Sequence, residues 1–492
     1  MKIKKYLCFI TTIVIAVTAL AGNAAAYYNG SASDNGAYRK KINGITYVLK
    51  ENVQYGDKIK VPYSASVVEI PNAKKVEIPE KVSYDGLKFL VTDIDLCGEY
   101  PITENNIPTF KQKYTKVEEI VLPDTIYNIT RFDCFPNVQK INIPKNAAIG
   151  RHYSEGFIDY TSNNPVIDKT IYYSEIGSTR VAFFQFADGE YEYFYNCPKL
   201  TLTVNSKNPY YKYENNLLLS KDGKKVYLSL NHSKEIEIPE GVESINSNGG
   251  FGFYDVEKVK LPGTLKYLGG TWCSISKISL PSGLEEIGPE AFSDSYLDKI
   301  VIPDSVKKIG DSAFACSTIK SIKFGKNLKT ISSKAFKRCN NLKSVTIPKN
   351  IKVVDTWAFK KCKNLKSVNI LSENVKINYR AFAKCPSLKK VTMKKTKEIP
   401  SHAFVRCTHL KTVTIKEVKK IDIGAFYGCK KLSKVVINNK KKAPKIEKRA
   451  FKNTKSGIKF YVKNKKVAKS LRKQLKGSGV RNAKILVSKS CV

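Results

Sequence analysis

A short repeat constrains the fold of this chain more than any other feature. The dipeptide Ala-Phe occurs eight times in phase, and successive copies are 22, 22, 23, 23, 22, 22 and 25 residues apart. The phenylalanines of these copies are Phe292, Phe314, Phe336, Phe359, Phe382, Phe404, Phe426 and Phe451. A fixed period of this length is typical of solenoids, in which each repeat is one coil stacked on the next.

Each copy has a pattern that predicts a short β-strand followed by a plugged turn. The segment Leu-x-x-Val-x-Ile alternates branched residues with others, as a half-buried strand does. Proline, as in Pro303 and Pro348, ends the strand because it has no N–H to donate. A second apolar pair, such as Ile351 and Val354, turns the chain back, and Ala-Phe fills the space between coils. One coil cannot bury its apolar face alone, so the stack is the folding unit.

The motif Ile-Pro…Val-x-x-Ile…Ala-Phe-x-x-Cys resembles the BspA-type leucine-rich repeat surface proteins, a bacterial and protozoan family related to the treponemal leucine-rich repeat proteins. The resemblance is close over residues 297–456 and extends in looser copies towards the N-terminus. Residues 208–223 resemble the hairpin insertion common in that family, with Lys221-Asp222-Gly223 as a turn. The resemblance implies surface display, adhesion to host or neighbouring-cell components, and no catalysis. Residues 146–200 do not fit the repeat, and we find no immunoglobulin-like anchor module.

We therefore expect a repeat solenoid, a leucine-rich repeat array of 22–23-residue coils whose strands form one curved parallel sheet. At the N-terminus, Ile45–Leu49, Val76–Ile78 and Leu87–Val91 read as strands, the last apolar enough to pair on both sides. At the C-terminus, helical spacing of apolar residues between two strands predicts a strand–helix–strand cap with Gly477 as the helix stop. The predicted organisation is a signal peptide (1–26), an N-terminal cap with degenerate repeats (27–145), an irregular insertion with a hairpin (146–235), the solenoid (236–456) and a basic cap (457–492).

The first residues are typical of a secretory signal peptide. Three lysines precede an apolar stretch from Tyr6 to Leu20, and Ala24-Ala25-Ala26 offers a small-residue cleavage site. The apolar stretch is shorter than the about 20 residues of a membrane span, and no second run of that length follows. We therefore expect a chain that is secreted or held at the bacterial cell surface, without a transmembrane anchor.

Cysteine recurs three residues after the repeat phenylalanine. Ser295 and Thr454 take the same position in other coils, which favours a small buried residue near backbone groups. Stacked coils also bring consecutive cysteines within the about 4.4–6.8 Å between Cα atoms that a disulfide needs, so free thiols and disulfides both stay open. No Cys-x-x-Cys pair is present, and a zinc site is not expected. The five cysteines are Cys339, Cys362, Cys385, Cys407 and Cys429.

Charge is distributed unevenly along the chain. The 85 Lys and Arg against 43 Asp and Glu give a net charge of +42, and residues 301–492 alone carry +43. In the predicted strands, the x positions point outward on the sheet face. We call the lysines at these positions the lysine face; they are Lys320, Lys323, Lys343, Lys366, Lys389, Lys390 and Lys411.

Two interpretations of the lysine face are open. Like charges on adjacent strands repel, by about 1 kcal/mol per pair in high dielectric before salt screening. The lysines can splay into water and keep a long array soluble, or they can dock onto a polyanion that relieves the repulsion. Eight coils span roughly 40 Å, along which residues 301–439 carry a net +25.

The expected partner follows from the compartment. An exported protein without a nucleic-acid module is not expected to bind nucleic acid. An anionic glycan or cell-wall polymer, or a host or neighbour-cell surface protein, fits better. Residues 440–492 add a net +18, and Lys440, Lys441 and Lys442 are predicted to tether the protein to an anionic wall.

The residue types of an active site are sparse. His402 and His409 fall at repeat positions taken elsewhere by Lys, Arg or Asn, which favours surface placement. No nucleophile elbow or phosphate-cradling loop is present. We expect no enzyme, no catalytic residue, no metal site and no cofactor. The remaining candidates are His152, His232 and the carboxylate pairs Glu190/Glu192 and Glu285/Glu286, whose spacing specifies no glycosidase site.

Three functional hypotheses remain. The leading one is a secreted or cell-surface adhesion protein that binds an anionic glycan, or a protein, through a basic repeat surface. The second is a non-catalytic structural protein held on the wall by its basic C-terminus. The third is an enzyme with its site in residues 146–235.

Overall fold

The computed structural model describes most of the repeat region and much of the N-terminal part. The described residues are 39–55, 59–94, 96, 114–129, 135, 137–149, 199–230, 233–245, 253, 256–270, 272 and 274–488. The predicted signal peptide, residues 150–198 of the predicted insertion, His152, His232 and the pair Glu190/Glu192 lie outside them. The chain divides into two compact units, the first drawn from residues 1–223, 227–231 and 248–252, the second from residues 224–226, 232–247 and 253–492.

The first unit begins with an antiparallel meander and continues with parallel coils. Strands β1, β2 and β3 pair antiparallel, and β3 then pairs in parallel with β6. From there one parallel ladder runs β6–β8–β10 and another runs β4–β7–β9–β11. The strands are β1 (Arg39–Ile42), β2 (Ile45–Tyr55), β3 (Ile59–Glu69), β4 (Lys75–Glu77), β5 (Lys81–Tyr84), β6 (Leu87–Ile94), β7 (Glu119–Val121), β8 (Asn128–Ile129), β9 (Lys140–Ile143), β10 (Ala148–Ile149), β11 (Thr201–Val204), β12 (Tyr211–Glu214) and β13 (Leu217–Ser220).

The strands predicted at the N-terminus are confirmed. Ile45 opens β2, Val76 lies in β4 and Leu87 opens β6. Strand β6 pairs with β3, β5 and β8, as its apolar sequence predicted. The antiparallel strand β2 covers the edge of β3 that the parallel ladder leaves open, which protects that edge from pairing with another chain.

A hairpin follows the first parallel ladders. Strands β12 and β13 pair antiparallel through a turn at Asn215 and Asn216, whose φ angles are 52° and 59°. Two consecutive residues with positive φ match the right-handed twist of hairpin strands, and asparagine tolerates this region. The predicted turn at Lys221–Gly223 is also present, because the Gly223 N–H donates to the Ser220 carbonyl. The sequence interpretation thus predicted the turn at Lys221–Gly223 and missed the reversal at Asn215 and Asn216.

The second unit consists of coils that each contribute to two parallel ladders. The strands are β14 (Lys225–Ser229), β15 (Glu235–Glu237), β16 (Ser244–Ile245), β17 (Lys258–Lys260), β18 (Tyr267–Leu268), β19 (Glu286–Ile287), β20 (Lys299–Val301), β21 (Lys308–Ile309), β22 (Ser321–Lys323), β23 (Thr330–Ile331), β24 (Ser344–Ile347), β25 (Val353–Val354), β26 (Ser367–Ile370), β27 (Lys376–Ile377), β28 (Lys390–Ile399), β29 (Thr412–Ile421), β30 (Lys434–Ile437), β31 (Lys445–Ile446), β32 (Lys459–Val462) and β33 (Lys484–Val487). Of β14, only Lys225 and Val226 belong to this unit.

The main ladder is the one that the Leu-x-x-Val-x-Ile segment predicts. Its longest stretch runs β24–β26–β28–β29–β30–β32–β33, all parallel and in register. In addition, the second apolar pair of each coil forms a two-residue strand, and these strands make a second ladder such as β23–β25–β27. In β28 and β29, Lys394 and Lys416 replace the proline, and the coil's two strands merge into one of 10 residues.

The core of the second unit is a stack of identical side chains. The rings from Phe292 to Phe451 lie parallel, with centroids 5.1–5.5 Å apart. Trp272 takes the phenylalanine position of an earlier coil. Its backbone N–H donates to the Ala291 carbonyl, just as the backbone N–H of Phe292 donates to the Ala313 carbonyl. The repeat phenylalanines and alanines are completely buried. The predicted role of Ala-Phe as the plug between coils is confirmed.

The C-terminal cap is confirmed as strand–helix–strand. Strand β32 leads into helix α1 (Lys465–Leu475), and β33 returns beside β32 in parallel. The apolar face of the helix is buried and includes Val467, Leu471 and Leu475. After the helix, the backbone turns at Gly477, whose φ is 80°. The Phe460 ring closes the phenylalanine stack edge-on against Phe451, with centroids 5.6 Å apart. The last coil therefore does not present an open apolar cross-section.

Candidate polyanion-binding face

All seven residues of the lysine face are exposed, and alternate residues of the longer strands beside them are buried. In β24, for example, Val345 and Ile347 point into the core while Ser344 and Thr346 face outward. This alternation follows from the period of two in a strand. The second and third x positions thus lie on the outer face of the sheet, whereas the first x position, with Lys343, Lys366, Lys389 and Lys411, is exposed one residue before each strand. The seven exposed lysines are Lys320, Lys323, Lys343, Lys366, Lys389, Lys390 and Lys411.

Four of these lysines form a continuous column across adjacent coils. The backbone N–H of Lys366 donates to the carbonyl of Lys343 at 2.7 Å, and Lys389 donates to Lys366 at 2.8 Å. Lys411 continues the column by donating to Lys389 at 2.9 Å. Their side chains therefore start from neighbouring strands, about 4.8 Å apart. We call Lys343, Lys366, Lys389 and Lys411 the lysine column.

The other three members lie beside this column. Lys320 is bonded through its backbone to Asp298, and its ammonium lies 3.0 Å from the Asp298 carboxylate, so its charge is compensated. Lys390 stands in the next column, between Ser367 and Thr412. Lys323 pairs in register with Val301. At the first x position of the repeat, Lys320 is thus ion-paired, whereas the four residues of the lysine column are not.

The structure adds a column that the sequence interpretation missed. Lys434, Lys459 and Lys484 occupy one register position on β30, β32 and β33. The ammonium of Lys434 also lies 4.9 Å from the Tyr461 ring centroid, within cation–π range. The repeat pattern places Lys434 at the second x position of its copy. The pattern does not place Lys484, because the helix separates its strand from the last copy of the repeat.

Earlier coils of the second unit carry lysines of a different kind, because carboxylates on the adjacent coil pair with them. In the last of these pairs, the Lys326 ammonium lies 2.7 Å from Asp304 and holds the pKa of that carboxyl below its usual value. The pair Glu285/Glu286 belongs to the same set, which explains these carboxylates without catalysis. The cross-coil pairs are Lys224–Glu243, Lys234–Glu257, Lys258–Glu235, Lys260–Glu237, Lys266–Glu243, Lys307–Glu285, Lys308–Glu286, Lys320–Asp298 and Lys326–Asp304.

This pairing stops where the lysine column starts. Over the fully described residues 329–392, no lysine forms an ion pair. The pairs beyond are Lys395–Glu417, Lys420–Asp422 and Lys445–Glu447, none of which includes the column. Two adjacent ammoniums about 5 Å apart repel by about 1 kcal/mol in high dielectric before salt screening. The column is therefore a row of uncompensated positive charge on a rigid sheet.

The structure also locates the remaining candidate residues, the three lysines of the predicted tether and two histidines. Lys440, Lys441 and Lys442 are exposed in the loop between β30 and β31. His409 is exposed and its Nδ1 lies 2.9 Å from the Pro386 carbonyl oxygen, whereas His402 is half-buried in a turn. Among the described residues, no three His, Cys, Asp or Glu side chains are grouped to hold a metal ion. In the same residues, no helix has the length and apolar character to cross a membrane.

The cysteines form a ladder of free thiols, which decides between the two predicted states. All six described cysteines are free, and the Sγ of each of the five predicted ladder members donates to the phenylalanine carbonyl of the preceding coil. These S···O distances run from 3.0 to 3.2 Å. Burial raises the pKa of Cys339 and of Cys429 to about 12. The ladder therefore joins adjacent coils through buried S–H···O hydrogen bonds.

Comparison with known proteins agrees with this architecture. A family model described as the BspA type leucine rich repeat region matches residues 222–341, 270–389 and 329–458, with six copies. No curated relative matches the chain.

Solved structures give a more distant likeness. A leucine rich cell surface protein from Faecalibacterium prausnitzii is 18% identical over 93% of this chain and 97% of its own, with a TM-score of 0.36. The pneumococcal vaccine antigen PcpA is also 18% identical, over 92% of this chain and 98% of its own, with a TM-score of 0.36. A leucine rich repeat protein of T. pallidum is 25% identical over 37% of this chain and 89% of its own, with a TM-score of 0.29.

The repeat motif, the stacked parallel coils and the matching family model all point to one assignment. BspA-type leucine-rich repeat proteins are cell-surface proteins, are often involved in adhesion and are generally not enzymes. The chain belongs to the BspA-type leucine-rich repeat family.

Proposed function

We propose that this protein is exported to the cell surface and binds an anionic glycan there through the lysine face. The observation that carries this proposal is the lysine column, in which four consecutive coils place uncompensated ammoniums side by side. The earlier coils show that this repeat accommodates a carboxylate opposite most of its lysines. A polyanion laid along the column supplies the counter-charge that the chain itself omits.

A binding role fits the surface better than a catalytic one. The lysines of the column each directly precede a strand, and backbone hydrogen bonds hold them side by side, about 4.8 Å apart along the stack. Such an array recognises a repeating anionic polymer, because each repeat of the ligand meets the same chemistry. Exposed ammoniums without a neighbouring base or nucleophile do not make a catalytic constellation. Adhesion through this face also agrees with the family.

The test replaces the lysine column by neutral residues of similar length. We expect the variant Lys343→Gln/Lys366→Gln/Lys389→Gln/Lys411→Gln to bind heparin, a sulfated glycan, and purified wall teichoic acid at least tenfold more weakly than the wild type. The readout is the dissociation constant from biolayer interferometry in low salt. Circular dichroism checks that the fold is unchanged.

A matched control removes the same number of charges from the second ladder in neighbouring coils. Lys329, Lys349, Lys352 and Lys376 are exposed, lack ion pairs and lie off the main ladder. Lys352 even stacks on Lys329, since its backbone N–H donates to the Lys329 carbonyl at 2.7 Å. The quadruple glutamine variant of these residues is expected to lose less than threefold in affinity. Equal losses in both variants would mean that net charge alone binds, and the reverse order would assign binding to the second ladder.

A second function rests on the exposed loop at Lys440–Lys442. We propose that this loop helps to hold the protein on its own anionic wall, as a structural wall protein would be held. The variant Lys440→Gln/Lys441→Gln/Lys442→Gln is expected to bind isolated bacterial walls more weakly while retaining heparin binding. Unchanged wall binding would remove the tether and leave the lysine face as the binding surface.

A further inference from the structure

A shallow cavity of about 270 Å³ lies on the turns of the second unit that carry Ala-Phe, away from the strands of the lysine face. Neither the repeat motif nor the family assignment gives it a role. We call it the turn trough. Its lining residues are Lys360, Arg380, Ala383, Lys384, His402, Val405, Arg406 and Tyr427.

The cavity arises from the sequence of one repeat position. The residue that directly follows the repeat phenylalanine is Lys360, Ala383, Val405 and Tyr427 in four consecutive coils. Ala383 and Val405 are short and buried, whereas the side chains before and after them are long. Two short residues between two long ones leave a hollow. Lys360 and Tyr427 therefore close the two ends of the turn trough.

The sides of the hollow are set by the backbone of the turns. In each coil the residue two before the phenylalanine and the residue two after it have positive φ, and for Arg380 and Lys384 these angles are 54° and 57°. The next coil repeats the arrangement with His402 and Arg406, at 58° and 57°. Backbone hydrogen bonds stack the coils here, for example from the Lys384 N–H to the Val405 carbonyl at 2.8 Å. The trough thus has Arg380 and His402 on one side and Lys384 and Arg406 on the other.

One glycine keeps this site open. At Gly424, the position equivalent to His402 in the following coil, a Cβ atom would lie 2.9 Å from the His402 Nε2. Any larger residue would push the imidazole out of place. The φ of Gly424 is also positive, at 62°, which glycine adopts without strain.

The lining carries strong positive charge and no carboxylate. Lys360, Arg380, Lys384 and Arg406 line the cavity, and none of them forms an ion pair with a described residue. The Nε of Arg380 is buried and has no hydrogen-bond acceptor among the described residues. Burial and the neighbouring cations Lys361, Lys337, Arg380 and Lys384 lower the pKa of Lys360. Burial and Arg380 lower the pKa of His402, which Asp422 opposes.

We propose that the turn trough binds a sulfate or phosphate monoester carried by a sugar, as a discrete anion site separate from the lysine face. Guanidinium groups match the oxygens of such tetrahedral anions by paired hydrogen bonds, and ammoniums add point charges. The cavity has roughly nine times the about 30 Å³ that one water occupies, so an anion and part of an attached ring fit. The inference extends the proposed function, because it places an anionic glycan's charged substituent in a defined pocket.

The experiment titrates small probes into the full-length protein. The probes are glucose 6-phosphate, glucose 6-sulfate, inorganic phosphate and glucuronate, followed by NMR or calorimetry. We expect one of the two monoesters to bind at least tenfold more tightly than glucuronate, and the preferred monoester identifies whether the natural source is a phosphorylated or a sulfated glycan. Failure of both monoesters to bind the wild type overturns the proposal.

Three variants locate the binding. The double variant Arg380→Gln/Arg406→Gln is expected to weaken monoester binding at least tenfold. Its matched control, Arg338→Gln/Arg449→Gln, removes the same charge at the same repeat positions in coils that do not line the trough, and is expected to change binding by less than twofold. The variant Val405→Tyr copies the residue at the equivalent position of the next coil, fills the hollow without changing charge, and is expected to abolish binding.

The outcomes separate this site from the lysine face. The lysine-column variant should retain monoester binding, and the Arg380→Gln/Arg406→Gln variant should retain most of the heparin affinity. Equal weakening by the arginine variant and its control would overturn the turn trough while leaving the lysine face untouched. Monoester binding that survives Val405→Tyr would overturn it as well.

Discussion

At the scale of single residues, the coils are joined by two side-chain contacts that recur along the stack. Each ladder cysteine donates its S–H to a carbonyl of the preceding coil, and each repeat phenylalanine stacks on the next. Ser317 and Thr454 instead donate to the phenylalanine carbonyl of their own coil, because their shorter reach suits the nearer acceptor. At this repeat position, cysteine therefore reaches the phenylalanine carbonyl of the preceding coil, whereas serine and threonine bond within their own coil.

Thiol chemistry follows from this burial. At pH 8 a thiol whose pKa is about 12 is ionised to roughly one part in ten thousand, and only the thiolate reacts. We expect iodoacetamide to modify Cys316, which is half-buried, well before Cys339 and Cys429 in the folded protein. Peptide mass spectrometry over time, with a urea-unfolded sample as the control, measures this order. Rapid modification of the ladder, or disulfide-linked ladder peptides, would contradict it.

The phenylalanine stack sets the stability of the middle coils. Phe359 is completely buried between two parallel rings, each about 5.3 Å away. We expect Phe359→Ala to reduce the free energy of unfolding by about 3–5 kcal/mol, because it removes core contacts and leaves a cavity. Urea unfolding followed by circular dichroism gives the value. Tyr296→Ala, at a side chain 63% exposed, is the control and should cost about 0.5 kcal/mol or less.

At the scale of elements, the helix of the cap decides how the stack ends. Asn464 does two things at its start: its Oδ1 accepts from the Val467 N–H at 2.9 Å, and its Nδ2 donates to the Lys440 carbonyl at 2.9 Å. The first bond caps the helix, and the second fastens it to the preceding coil. Lys440 also belongs to the proposed tether loop, so the cap and that loop share an anchor.

The two roles of Asn464 are separable. We expect Asn464→Ala to lower the free energy of unfolding by about 1–2 kcal/mol, since both bonds are lost. Asn464→Asp keeps the capping acceptor and loses only the donor, so its loss should be smaller. Chemical denaturation of both variants measures the difference. Equal losses would show that the contact to Lys440, and not the cap, carries the stabilisation.

At the scale of the whole molecule, the period of the sequence predicted the coils but not every surface they build. The strands, the plug and the cap follow from local apolar spacing, which a reader of the sequence sees directly. The column that ends at Lys484 depends on the pairing of β32 with β33, two strands that the helix separates in the sequence. The turn trough depends on short side chains at the same repeat position in two consecutive coils. Both are properties of the stack, which a single repeat does not display.

The charge pattern is also a property of the stack that a single repeat does not display. Net charge separates a basic second part from a neutral first part, yet it does not say which lysines are compensated. The cross-coil carboxylates that neutralise Lys307, Lys320 and Lys326 become visible only when adjacent coils are aligned in register. That alignment turns a uniform excess of lysine into a paired region followed by an uncompensated column.

The central claim is that the lysine column contacts a polyanion directly, and the salt dependence of heparin binding tests it. Each ammonium that displaces a counterion from a flexible polyanion contributes about 0.7 to the slope of log affinity against log salt concentration. We expect the slope for the lysine-column variant to be shallower than that of the wild type by about 2 to 3, while the variant of Lys329, Lys349, Lys352 and Lys376 keeps the wild-type slope. Identical slopes for the wild type and the lysine-column variant would contradict the claim.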